Sequence, residues 1–164
     1  MGRMKRIQPP LWVILTALCA AALVRAVDAK SGPQASTAVV ERAVDGDTVV
    51  LSGGERVRYI GVDTPELHHP RKPVQAYARE AMEFNRRLVE GKKVRLEFDV
   101  DRRDKYHRLL AYVFLEDGTF VNAELLKQGY AQLLTFPPNV RYVDLFIKLQ
   151  KEAREAKRGL WGKR

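Results

Sequence analysis

A chain of 164 residues holds one domain and a short appendage, enough to bury a real core and too little for several domains. Its 29 basic and 20 acidic residues give a net charge of +9, which attracts polyanions, nucleic acid first and anionic membrane second, without separating the two. The one cysteine, Cys19, excludes a disulfide scaffold.

Residues 1–29 read as a targeting segment: a basic start (Arg3, Lys5, Arg6), an apolar run over residues 11–24, then Ala26-Val27-Asp28-Ala29 with small residues suited to a signal peptidase. The run is shorter than the roughly 20 residues of a membrane helix. A cleaved secretory signal is therefore expected, with an uncleaved N-terminal anchor as the alternative. Either places the remainder outside the cytoplasm, secreted, periplasmic or extracellular, with membrane contact only through residues 11–24 if the segment stays. Leu18 precedes Cys19 where a lipoprotein signal needs a small residue, so lipidation is not expected. Removing residues 1–29 takes away Arg3, Lys5, Arg6, Arg25 and Asp28 and leaves a net charge of +6, so the basic bias belongs to the folded part.

Residues 30–36 are polar and turn-forming and read as a linker, and the domain is expected over residues 37–164. Residues 37–44, 48–51 and 56–62 are rich in β-branched side chains and punctuated by Asp-Gly and Gly-Gly, which predicts a meander of three antiparallel strands. After Pro70 and Pro73, the apolar residues Val74, Tyr77, Ala78, Ala81, Phe84, Leu88 and Val89 recur at helical spacing until Gly91. Residues 94–100 and 109–115 predict two more strands, residues 123–128 a short helix and residues 142–158 a charged final one. The fold class is thus α+β, mainly β: a small closed five-stranded barrel with three helices packed outside.

Three clusters carry the chemistry: Asp45-Gly46-Asp47-Thr48; Arg58 with Asp63-Thr64-Pro65-Glu66; and Asp104-Lys105-Tyr106-His107-Arg108. Asp47 and Asp63 stand at strand edges beside turns, where two carboxylates with a main-chain carbonyl and waters suit a hard cation such as calcium. Taken alone, Asp-Gly-Asp reads first as an ordinary hairpin turn. Glu66 follows Pro65, whose fixed φ aims it stiffly out of the strand end, in a position to serve as general base for a water attacking phosphorus. Arg58 and Arg108 form a pair able to grip phosphate oxygens bidentately and to stabilise a five-coordinate transition state. In a regular strand Arg58 and Asp63, five residues apart, point to opposite faces, so a bulge or bend must intervene if both serve one site. His68, His69 and His107 have no acidic partner at ligand spacing and are expected to be polar loop residues, not zinc ligands. Lys148, Lys151, Arg154, Lys157 and Arg158 are expected to form a solvated helix face, and Trp161 to anchor that helix on the barrel.

These strings, in this order, resemble the staphylococcal nuclease family. The similarity runs from about residue 37 to residue 161 and includes Val57-Arg58-Tyr59-Ile60-Gly61-Val62-Asp63-Thr64-Pro65-Glu66, Arg108-Leu109-Leu110-Ala111-Tyr112-Val113, Val121-Asn122 and Gly159-Leu160-Trp161. The resemblance implies an OB-type barrel and a calcium-dependent nuclease that hydrolyses DNA and RNA to products keeping phosphate on the 3′ side. It implies Arg58, Glu66 and Arg108 as catalytic residues, Asp47, Asp63 and the carbonyl of Thr64 as calcium ligands, and Lys105 and Tyr106 as contacts to the terminal phosphate of a bound nucleotide. The chain departs from the family pattern twice. His107 stands where glycine is usual, which puts the placement of Arg108 in question if the turn needs φ above zero. Residues 134–138 replace a tyrosine-bearing stretch; there Phe136 can stack on a base and Thr135 cannot. A monomer with no stable protein partner is expected. The rival expectation, from a different class, is a nucleic-acid-binding module that keeps the barrel without catalysis.

Overall fold

The computed structural model describes residues 35–67 and 73–162; residues 1–29, read above as a targeting segment, and His68 and His69 lie outside them. Strands β1 (Ala35–Asp45), β2 (Thr48–Leu51), β3 (Arg56–Tyr59), β5 (Lys93–Glu97) and β6 (Leu109–Leu115) close into a barrel in the order β1-β2-β3-β6-β5. Two further two-residue strands, β4 (Val62–Asp63) and β7 (Gln132–Leu133), pair with each other beside it. The described helices are α1 (Ala78–Val89), α2 (Val121–Lys127) and α3 (Val143–Glu155), followed by a 3-10 turn at Gly159–Trp161. This is the expected mainly-β α+β class, a five-stranded barrel with three helices. None of the described helices is long and apolar enough to cross a membrane.

Alternation builds the barrel. Val40, Val49, Val57, Val94, Leu96, Ala111 and Val113 are at most 1% exposed and point inward, while the residues between them form the outer face. β1, β2 and β3 run antiparallel as a meander, and the barrel closes through a parallel contact between β3 and β6. The helices add a second apolar layer, in which Tyr112 meets Tyr142 edge-on with ring centroids 4.6 Å apart and Phe120 packs on Phe146.

Several boundaries move for physical reasons. β1 starts at Ala35 because Ala35 and Ser36, read as linker, pair with Glu97 and Leu96. The predicted strand over residues 56–62 is two strands, since Gly61 takes φ +80° and turns the chain. Helix α1 begins at Ala78, not Val74: Gln75 accepts from the Glu66 N–H through Oε1 and donates its own N–H to the Glu66 carbonyl, and Tyr77 holds φ +65°. β5 ends at Glu97, the last residue to pair with β1 and β6; beyond it the Asp99 carboxylate accepts from the Tyr112 hydroxyl at 2.9 Å and the Arg141 N–H at 3.1 Å.

Candidate active site

The turn between β1 and β2 carries Asp47, which is 6% exposed and accepts from several donors. Its Oδ2 accepts from the Thr64 N–H at 2.8 Å and the Thr64 hydroxyl at 2.9 Å, and its Oδ1 from the Thr48 hydroxyl at 3.1 Å. Gly46 makes this possible, because a Cβ there would meet the Thr64 side chain at 2.7 Å. Behind the turn, the wholly buried Asn85 of α1 donates to the Asp45 carbonyl at 3.0 Å and accepts from the Tyr59 hydroxyl at 2.9 Å.

The turn at Ile60-Gly61 supplies the bend that Arg58 and Asp63 require. Arg58 spends Nη1 on the main chain, donating to the Val62 carbonyl at 2.7 Å and the Tyr59 carbonyl at 2.9 Å. Its Nη2 then bridges both carboxylates, Asp63 at 3.0 Å and Asp47 at 3.2 Å. Asp63 is half-exposed. Burial nevertheless pushes its pKa above the ordinary carboxylate value, Arg58 pulls it down, and the neighbouring Asp47 and Glu66 push it up again.

Arg108 is aimed by Asp104, four residues earlier. The Asp104 carboxylate accepts the Arg108 Nε–H at 2.7 Å and the main-chain N–H groups of Arg108 and Tyr106 at 3.0 and 2.9 Å. Burial alone would raise the pKa of Asp104; these hydrogen bonds outweigh it and hold the carboxyl below its usual range. His107 takes the left-handed conformation, φ +64°, that its glycine-like position demands. Histidine is among the non-glycine residues that enter this region most readily. Arg108 therefore faces the site with its two terminal nitrogens uncommitted among the described residues.

Two depressions meet at the arginines. A polar cleft of about 420 Å³ is lined by Asp45, Asp47, Thr64, Glu66, Arg58 and Arg108, among others. A pocket of about 490 Å³ has Ile60, Val62, Leu110 and Leu134 along its wall and Lys105, Tyr106, Phe136 and Asn139 at its edge. Arg58 and Arg108 line both. Tyr106 and Phe136 are 67% and 69% exposed, and Tyr106 lies between two cations, with Lys105 Nζ at 5.0 Å and the Arg108 guanidinium at 5.5 Å from its ring centre. Thr135 is not among the lining residues. Trp161 packs under the Arg154 guanidinium, 4.2 Å from its ring, which ties the chain end to α3.

Asn85 and Asn139 do their work unannounced by the sequence reading, which names Asp104 within the third cluster without giving it a role. Asn139, 5% exposed, pairs with both the N–H and the carbonyl of Asp101 and so fixes the loop bearing Phe136. A signal existed for two of them: Asn85 interrupts the buried stripe Ala78, Ala81, Val89, and Asp104 stands four residues before an arginine.

As a cation site, the donors are all oxygen, and the two aspartates converge on one nitrogen, which suits a hard divalent ion. No group of three or more His, Cys, Asp or Glu side chains could hold a metal among the described residues, so an ion at Asp47 and Asp63 would complete its shell with main-chain carbonyl, water and phosphate oxygens.

The sequence profile of the family described as "Staphylococcal nuclease homologue" matches residues 56–163. The chain is similar to the thermonuclease of Staphylococcus intermedius, 44% identical over 126 residues that cover 75% of this chain and 74% of the relative. It is 40% identical to the thermonuclease of Staphylococcus hyicus over 80% of this chain and 79% of that one. Endonuclease YncB of Bacillus subtilis (strain 168) is 46% identical over 129 residues, which span 76% of this chain and 61% of YncB. The profile covers more than half of the chain and the relatives exceed 30% identity over most of their own length, so this chain belongs to the staphylococcal nuclease family.

Proposed function

We propose that this protein is a calcium-dependent nuclease that hydrolyses phosphodiester bonds of DNA and RNA outside the cytoplasm, leaving phosphate on the 3′ side. Family membership makes it a nuclease of the thermonuclease and endonuclease type. The observation that carries the finer reading is the sharing of Arg58 and Arg108 between an acidic cleft and an apolar pocket of nucleoside size. A nucleotide whose base and sugar fill the pocket, beside Tyr106 and Phe136 and with Lys105 near a terminal phosphate, has its scissile phosphate at the two guanidinium groups.

Each residue then has a defined task. Glu66, at the acidic end of the cleft, takes a proton from the attacking water. The water oxygen forms the new bond to phosphorus, the P–O5′ bond breaks, and the 5′ oxygen leaves as a hydroxyl after taking up a proton. Arg108, gripped at Nε, offers its terminal nitrogens to the non-bridging oxygens, and Arg58 holds charge against the same group. Asp47, Asp63 and the Thr64 carbonyl would hold calcium, which supplies positive charge to the phosphate oxygens.

Single-stranded DNA incubated with the protein in calcium is expected to be cut, and chelator is expected to stop it. Glu66→Ala should lower turnover by about 10²- to 10⁴-fold with DNA binding retained. Binding without chelator-sensitive cleavage by the unaltered protein would establish the non-catalytic binding module instead.

A further inference from the structure

A third arginine lines the acidic cleft and has no task in that chemistry. Arg56 precedes Arg58 by two residues on β3, so both side chains leave the outer face while Val57 between them is buried. Strand register extends the row. Arg56 pairs with Val50 and Val50 with Arg42, while the parallel pairing of Val57 with Leu109 sets Arg56 beside the residue before Leu109, which is Arg108. Arg108, Arg56 and Arg42 thus lie along one line across four neighbouring strands. With strands about 4.8 Å apart, Arg42 stands on the order of 10 Å beyond Arg56.

Arg56 differs from the other two cleft arginines in its partners. Arg58 bridges Asp47 and Asp63, and Arg108 is held by Asp104. Arg56 is exposed and makes no ion pair or side-chain hydrogen bond among the described residues, and neither does Arg42. The adjacent Glu55 is taken by Arg103 at 2.6 Å. Unlike Arg58 and Arg108, Arg56 lines the polar cleft alone and not the apolar pocket. It therefore stands in the cleft, beyond the two arginines that the cleft shares with the pocket. An exposed guanidinium without a carboxylate partner is unsuited to fixing a transition state and suited to meeting a flexible backbone phosphate.

We propose that Arg56, with Arg42 behind it, forms a subsite for the phosphodiester groups flanking the scissile phosphate, so that the protein takes polynucleotides in preference to dinucleotides. This rests on the nuclease reading for its direction along the substrate. It is testable without turnover. Fluorescence anisotropy of an oligothymidylate of about 12 nucleotides, in chelator and over a range of salt, gives the affinity and its salt slope. Arg56→Ala should weaken oligonucleotide binding about tenfold and lower the slope of log K against log salt by about 0.7. Arg42→Ala should lower the slope again by a similar step, and Arg56→Lys should keep most of it. A dinucleotide with one phosphodiester should lose far less affinity than the oligonucleotide. An unchanged slope in Arg56→Ala, or equal losses for the short and long ligands, overturns the subsite. A slope that depends on Arg56 in a protein that never cleaves sinks the nuclease reading and leaves the subsite standing, and the two failures are thereby told apart.

Discussion

At position 107 a histidine occupies a backbone conformation, φ +64°, that costs an L-residue about 1–2 kcal/mol relative to the right-handed regions. The cost is tolerated because the turn is fixed from several sides. The His107 N–H donates to the Asp104 carbonyl at 3.0 Å, and Arg103 Nη1 donates to the His107 carbonyl at 2.8 Å. His107→Gly should therefore raise stability modestly, by about 0.5–1 kcal/mol once the added freedom of glycine in the unfolded chain is set against the relieved strain. Urea titration measures it, and a lower midpoint would contradict the account. The sequence made the placement of Arg108 depend on position 107. The deciding residue is Asp104, whose carboxylate accepts two main-chain N–H groups of the turn and the Arg108 Nε–H, and so aims the guanidinium. Its spacing from Arg108 was legible. The closure of the loop that makes the spacing matter was not.

Among elements, the break between β3 and β4 governs the site. Residues 56–62 read as one strand, and the parity of Arg58 and Asp63, with the lone Gly61, betrays a bend within them. The bend is locked from outside: a Cβ on Gly61 would lie 2.5 Å from the Phe146 ring of α3, in addition to φ +80°. Gly61→Ala should cost about 3 kcal/mol or more, and specific activity should fall beyond the loss of folded protein because Asp63 shifts relative to Arg58. A stability loss under about 1 kcal/mol in thermal or chemical unfolding would show that the contact relaxes easily. The late start of α1 was beyond local reading for a related reason. Val74 and Tyr77 have helical spacing, yet Gln75 is claimed by Glu66, nine residues away, a contact that exists only in the assembled fold.

Across the whole molecule, Glu97 joins barrel to helices. It is 5% exposed and meets Arg141 at 2.7 Å, the Tyr142 hydroxyl at 2.8 Å and Arg95 at 3.1 Å, while Asp99 accepts from the Tyr112 hydroxyl and Arg141. Burial on its own would raise the Glu97 pKa; the hydrogen bonds from Arg141, Tyr142 and Arg95 prevail and lower it below its ordinary 4.5. A carboxyl whose pKa falls on folding stabilises the protein above the unfolded value and loses that contribution as pH drops through the folded one. The urea midpoint should thus decline as pH falls below about 4.5. Glu97→Gln should cost about 2–3 kcal/mol near neutral pH and progressively less toward pH 3; an equal cost at both ends would remove Glu97 from the acid limb. The barrel and its three helices were readable from periodicity, because alternation and helical spacing are local. This network was not, since Glu97 and Arg141 stand on segments with no pattern in common.

The parallel contact that closes the barrel has a bearing on when activity can exist. β3 and β6 meet only after the intervening helix and strand are in hand, and Arg58 lies opposite Leu110, two residues past Arg108. Such long-range closure is late and slow in folding. A chain that has reached Glu66 already possesses Asp47, Asp63 and the proposed base but not Arg108. Partial synthesis or a nick ahead of β6 therefore leaves Arg58 without Arg108 beside it, and on the proposed function nucleic acid meets both arginines together only after the whole barrel has shut.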